Sequence, residues 1–183
     1  MRELALNILD IAENSLSAGA KLVEIRVIAD LPADRLTISV RDDGCGMDAE
    51  MLARVTDPFT TSRTTRKVGM GIPLFKFSAE SAGGSFDIRS EKGKGTLVTA
   101  QYSVGHVDRM PLGDFGGVVL QLVTMNPAVD FYVLAKNGES EGVLDTREMR
   151  EVLGDIPLSH PEVRGFLKDY IKENLVDIFG GRL

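Results

Sequence analysis

Two runs of strict apolar alternation, Val23, Ile25, Val27 and then Leu36, Ile38, Val40, flank the segment Asp30-Leu31-Pro32-Ala33-Asp34. A period of two puts these side chains on one face of an extended chain, and the Asp/Pro cluster is turn chemistry, so the pattern predicts a strand hairpin with one face to bury. The segment ahead of it supplies a helix to bury that face against. Over residues 2 to 18, Leu4, Ile8, Ile11 and Ser15 fall on one flank. Glu3, Asn7, Asp10, Asn14 and Ser17 recur at spacings of three and four on another, and Gly19 closes the helix. A polar stripe of this length is ordinarily a solvated face.

The second strand runs into Asp42-Asp43-Gly44-Cys45-Gly46-Met47, whose glycines interrupt the strand pattern, and Asp48 is placed to cap a short helix through about Arg54. Residues 57 to 71 are polar and basic with almost no apolar period and are expected to form a mobile loop. A helix is predicted from near Ile72, with Pro73 in its first turn, to Gly83-Gly84. Strands follow at Ser85 to Glu91 and Thr96 to Ser103, hinged at Lys92-Gly93-Lys94-Gly95. From Val104 the character changes: a loop with His106 and Pro111, an apolar segment Gly113 to Met125, a strand-like Phe131 to Ala135, the Asn137-Gly138 turn signal, and two helices. Asp145 with Glu148 and Ser159 with Glu162 have capping-box spacing, and Val163, Phe166, Leu167, Tyr170 and Ile171 form an apolar stripe. The change of character sets a boundary that divides residues 1–103 from 104–183 with no low-complexity linker, so the second part is expected to pack against the first.

Lys and Arg number 21 against 27 Asp and Glu, a net charge of −6, which opposes broad attraction to DNA or an anionic membrane surface. Any phosphate binding must be local. The single cysteine, Cys45, excludes an intrachain disulfide, and with only His106 and His160 beside it no Cys/His zinc cluster can be assembled. No run reaches the ~18 apolar residues of a membrane span. Glu3, Asp10 and Glu13 stand where a signal peptide would need an apolar run, so a cytoplasmic protein is expected.

Three glycine-bearing motifs carry chemistry. In Asp42-x-Gly44-x-Gly46, at a strand end, a carboxylate can accept from an exocyclic amine while the glycines let a planar ring approach the backbone. Gly69-Met70-Gly71 precedes a helix start, where amides and the helix dipole suit phosphate oxygens. Gly93-Lys94-Gly95-Thr96 supplies a tight turn and a hydroxyl.

In this order, with Asn14 on the first helix and Phe59-Thr60-Thr61 between the first two motifs, the chain resembles the nucleotide-binding fold shared by gyrase, heat-shock chaperone ATPases, histidine kinases and MutL-type repair proteins. The resemblance covers about residues 4 to 103. Residues 13 to 20 are similar to the asparagine box of the MutL group. Pro58-Phe59-Thr60-Thr61-Ser62-Arg63 and Ser90-Glu91-Lys92-Gly93-Lys94-Gly95-Thr96 are more like the catalytic domain of histidine kinases. The resemblance implies an α+β two-layer sandwich of the Bergerat type, to which 104–183 adds a small α/β appendage for partner binding, and it implies ATP and Mg2+ as ligands. By the same resemblance Asn14 is the magnesium ligand and Asp42 reads the adenine amine, supported by Thr96. Gly44 and Gly46 shape the adenine pocket and Met47 lines it. Gly69 and Gly71 face the phosphates, with Arg63, Lys67 and Arg66 neutralising them.

Two departures bear on the reaction. Hydrolysing members carry a glutamate four residues before the asparagine, and here that position is Asp10, one methylene shorter. His106-Val107-Asp108-Arg109-Met110-Pro111-Leu112 is similar to a phospho-acceptor histidine motif, with the acid displaced by one position. Three functions stay open: a stand-alone kinase acting on a separate protein, an ATP-gated interaction module, and a weak MutL-type ATPase without phosphotransfer. The family also contains stand-alone proteins encoded beside iron-hydrogenase subunits, which brings in redox proteins as partners.

Overall fold

The computed structural model describes residues 3–56 and 70–183. Helix α1 (Leu4–Ser17) leads into the hairpin β1 (Leu22–Asp30) and β2 (Arg35–Asp42), then the short α2 (Ala49–Arg54). Helix α3 (Gly71–Ser81) is followed by β3 (Ser85–Glu91) and β4 (Gly95–Ser103). The remainder is α4 (Phe115–Met125), β5 (Asp130–Asn137), β6 (Ser140–Asp145), α5 (Thr146–Leu153), α6 (Pro161–Ile171) and two closing turns, Lys172–Val176 and Asp177–Phe179.

The six strands among the described residues form one sheet in the order β3-β4-β2-β1-β5-β6. Neighbours are antiparallel except β1 and β5, which run parallel with Val23 opposite Phe131 and Val27 opposite Ala135. The alternation seen in the sequence selects the buried face: Val23, Ile25, Val27, Leu36, Ile38, Val40, Val98, Ala100, Phe131 and Val133 are all buried. Helices α1, α3 and α4 cover that face and α6 packs on α4. The opposite face carries Glu24, Arg26, Ser39, Arg41, Asp87 and Arg89, with the Arg26 guanidinium 6.0 Å from the centre of the Tyr132 ring. Among the described residues one face is covered by helices and the other carries polar side chains, which makes the two-layer α+β architecture. No helix among the described residues is long and apolar enough to cross a membrane.

The boundary expected near residue 104 falls in a turn, yet the sheet runs straight past it. β5 pairs with β1, and the buried cluster joins Phe131, Val133, Leu122 and Leu167 to Ile8 and Ile25. Residues 104–183 thus extend the sheet of 1–103 as well as packing on it. β6 was not evident beforehand, because Ser140-Glu141-Gly142 lacks apolar alternation. Its edge is closed by the C-terminal segment: the Tyr170 hydroxyl donates to the Val143 carbonyl at 2.8 Å, and Asn137 Nδ2 donates to the Ile178 carbonyl at 3.0 Å. Asp48, Asp114 and Asp145 each cap a helix, accepting from Met51, Gly117 and Arg147 amides. The Ser159 capping box does not form. Helix α6 begins with His160 as the flanking residue and Pro161 as its first residue, since proline lacks an N–H and is preset for that position.

Candidate functional site

Asp42 ends β2 opposite Thr96 at the start of β4, and it is 8% exposed. Burying a carboxylate demands donors. The Ser15 hydroxyl on α1 donates to Oδ2 at 2.7 Å and the Gly44 amide donates to Oδ1 at 2.9 Å. Ser90 of β3 lies 2.9 Å from the Thr96 hydroxyl and accepts from the Met47 amide at 2.8 Å. The loop after β2 is fixed on both sides: Cys45 N donates to the Ala18 carbonyl, and Gly93 N donates to the Cys45 carbonyl. Gly46 at φ +63 and Gly95 at φ +96 allow this closeness, because a Cβ on either would stand 2.0 Å from a backbone oxygen, that of Glu91 or Asp42.

These elements enclose a cavity of about 490 Å³. Its walls are mostly apolar, from Ile11, Met47, Val55, Ile72 and Val98, with Asn14, Ser15, Asp42 and Thr96 as polar points. Such a combination suits a flat heteroaromatic ligand oriented by a few hydrogen bonds. Asp42 has used only two of its four or so lone-pair positions. Asn14 Nδ2 is buried without a partner among the described residues. An amide with unspent hydrogen-bonding capacity at the wall of a polar-tipped cavity fits a ligand that brings its own polar groups. No cluster of three His, Cys, Asp or Glu able to hold a metal exists among the described residues. Asn14 brings a side-chain amide to the cavity wall, and its oxygen is a donor of the kind a hard cation takes.

One side of this site is formed where α1 meets the start of α3. Gly71 sits so close to Asp10 that a Cβ there would lie 2.9 Å from Asp10 Cβ and 3.3 Å from its Oδ2. Burial pushes the Asp10 carboxyl above the ordinary carboxylate range.

The polar stripe of α1 thus points to several destinations. Asn14 and Ser17 line the cavity, Asp10 meets Gly71, Glu3 accepts from the Asp114 amide at 3.2 Å, and Asn7 is buried in the helical layer. Asn14, Asp42, Gly46, Met47 and Thr96 line one cavity, with Gly44 packed behind against Ala18. Arg63, Arg66, Lys67 and Gly69 lie outside the described residues. His106 is brought nowhere near the cavity. Its ring borders Gly83, beyond the far end of α3 from Gly71, about 16 Å along an eleven-residue helix. Its Nδ1 accepts from the Asp108 amide at 3.2 Å, in a segment of turns rather than a helix. Sequence reasoning missed Ser15, which the helical period places on the apolar flank; its neighbour Asn14 was the available signal. It also missed the wall that Met51, within α2, and Val55, at the C-terminal end of that helix, contribute.

The family model described as histidine kinase-, DNA gyrase B- and HSP90-like ATPase matches residues 1–105. The chain belongs to this ATPase family. Relatives of this histidine-kinase-like ATPase domain include the sensor protein kinase FleS of Pseudomonas aeruginosa, 37% identical over 92 residues, covering 50% of this chain and 23% of that protein. The non-motile and phage-resistance protein of Caulobacter vibrioides is 32% identical over 121 residues, covering 63% of this chain and 14% of its own length. A putative sensor protein of Shewanella frigidimarina is 31% identical over 103 residues, 55% of this chain and 16% of that one. The chain accordingly spans between 14% and 23% of the length of these three relatives. In three dimensions the fold is like that of the N-terminal domain of a DNA repair protein, with a TM-score of 0.57 at 15% identity over 79% of this chain and 53% of that one. That coverage exceeds the 105 of 183 residues in the family match, so the likeness of fold reaches beyond residue 105.

Proposed function

We propose that this chain binds ATP with Mg2+ in the cavity between α1, β2 and β4 and acts on a partner protein as a kinase. The observation that carries the reading is Asp42: a buried carboxylate, held by Ser15 and Gly44, with acceptor capacity left on a cavity of about 490 Å³. In this reading an adenine amine would donate to Asp42, and Ile11, Met47 and Val98 would line the pocket of its ring. Asn14 would hold the metal through its amide oxygen, and the Gly71 amide, together with Gly69, Arg63 and Lys67 outside the described residues, would take the phosphate oxygens. When bound, magnesium neutralises phosphate charge and orients the phosphates.

Phosphoryl transfer then needs an acceptor nucleophile that attacks the γ-phosphorus as the bond to the bridging oxygen of ADP breaks. Neither histidine lines the cavity, which favours an acceptor on a partner. The sensor-kinase relatives support a protein partner in general; hydrogenase-associated proteins find no support among them. Asp10, raised by burial and touching Gly71, suits taking a proton from the attacking group, or from water in the ATPase reading. We place the activity in the cytoplasm, where ATP is supplied, and assign 104–183, which lengthens the sheet, to partner binding.

Incubation with γ-labelled ATP, alone and with soluble extract of the source cell, tests this. A labelled protein supports transfer, and free phosphate without one turns the reading to a slow ATPase. Binding by calorimetry with neither product leaves an ATP-gated module. No adenine-nucleotide binding at all would overturn the proposal.

A further inference from the structure

Asn7 lies on the buried face of α1 among Leu4, Ile8 and Ile11, and it is 1% exposed. Its Nδ2 donates to Ser78 Oγ on α3 at 3.4 Å, whereas its Oδ1, also buried, has no partner among the described residues. Ser78 donates to the Phe75 carbonyl at 2.9 Å and stands 3.0 Å from the hydroxyl of Tyr102 on β4, itself 1% exposed. A polar chain therefore crosses the helix–sheet interior from α1 through α3 to β4. An apolar residue at position 7 would leave no buried amide to satisfy, so packing stability alone does not account for Asn7.

The chain is slack. One bond is near the limit of hydrogen-bond length and one acceptor is idle. If α3 shifts slightly and the Ser78 hydroxyl turns from the Phe75 carbonyl, it can donate to Asn7 Oδ1 instead. The same three side chains thus support two hydrogen-bond arrangements that differ in where α3 sits against α1. Ser78 is seven residues from Gly71, about 10 Å along one stiff helix. Gly71 is the point where α3 touches Asp10. Moving the Ser78 end moves the amides at the start of α3.

We propose that Asn7, Ser78 and Tyr102 are positioning residues that set the seat of α3, and through it the affinity of the site for the phosphates of the nucleotide. None of the three lines the cavity, and the inference rests on the ATP reading above. Adenosine, which has no phosphates, meets Asp42, Thr96 and the apolar wall of Ile11, Met47 and Val98 but not the amides at the start of α3, so it reports the base end of the site.

The experiment is calorimetric titration of the whole chain with ATP and with adenosine, for the wild type, Asn7→Leu, Ser78→Ala and Ser78→Thr. Asn7→Leu and Ser78→Ala remove the second arrangement. Each should lower the ratio of ATP to adenosine affinity about five-fold or more, with adenosine binding unchanged. Ser78→Thr keeps the hydroxyl and should keep the wild-type ratio. An unchanged ratio in a variant whose melting curve shows it folded overturns the proposal, as does equal weakening of ATP and adenosine, the mark of general damage. Should Asn7→Leu not fold, Ser78→Ala decides alone. A wild type that binds neither compound refutes the ATP reading itself, and this inference with it; one that binds adenosine as tightly as ATP refutes only the inference.

Discussion

Replacing Asp42 by Asn removes one charge and turns one acceptor into a donor at almost constant volume. In the protein both carboxylate oxygens receive a hydrogen bond, from Ser15 and from Gly44. The backbone amide of Gly44 cannot reverse its role, so the Asn carbonyl must face Gly44 and the new Nδ2 must face Ser15. The Ser15 hydroxyl can adapt, because it is also 3.2 Å from the Ile11 carbonyl and can donate there while accepting from Nδ2. The fold is therefore expected to survive. The ligand is affected differently, since adenine's amine now meets an amide N–H where a carboxylate oxygen stood. A hydrogen bond to a charged group contributes about 1.5–3 kcal/mol, so affinity for ATP should fall about 10- to 150-fold. Calorimetry with ATP measures the loss, and a melting curve checks the fold. A folded Asp42→Asn protein that binds ATP within a factor of about two of wild type would refute the assignment of Asp42 to the adenine amine.

Ser15→Ala leaves the buried Asp42 carboxylate one donor short and should cost about 1.5–3 kcal/mol, read as a lower melting temperature together with weaker ATP binding. Asn14→Ala should abolish the additional stabilisation that magnesium gives with ATP, while Glu13→Ala, exposed and about 100° round the helix, should leave it intact in thermal melts. Gly46→Ala forces a Cβ to 2.0 Å from the Glu91 carbonyl oxygen at φ +63 and should destabilise the fold by on the order of 3 kcal/mol in denaturant unfolding. Burial raises the Asp10 pKa because the ionised form is poorly solvated there, so the stability tied to it is fully present below the ordinary value of 3.8 and is lost as pH rises through its folded value. Asp10→Asn should accordingly raise the melting temperature at neutral pH and make no difference in acid; an equal effect at both would exclude burial as the cause.

Local chemistry was legible wherever its cause lay within a few residues. The alternation in β1 and β2, the capping aspartates at 48 and 145, the Asn137-Gly138 turn and the glycines around Cys45 act through their immediate neighbours, so the sequence displays them directly. The ordered motifs from Asn14 to Thr96 likewise identified the family, because their order along the chain is itself a sequence property.

The tertiary structure alone decided how distant segments use their faces. Nothing in residues 104–183 states that β5 will run parallel to β1, since the choice depends on which apolar edge of the β1–β2 hairpin remains open after β4 has taken the other. Ser15 reads as part of an apolar flank and becomes the donor to Asp42 only because β2 ends beneath it, 27 residues on. Asn7 and Asn14 share one helical stripe in the sequence, yet one is sealed beneath α3 and the other opens on the cavity. A helical period gives the angle of each side chain about its axis; only the packing of α3 and the sheet determines which angles meet protein and which meet a ligand.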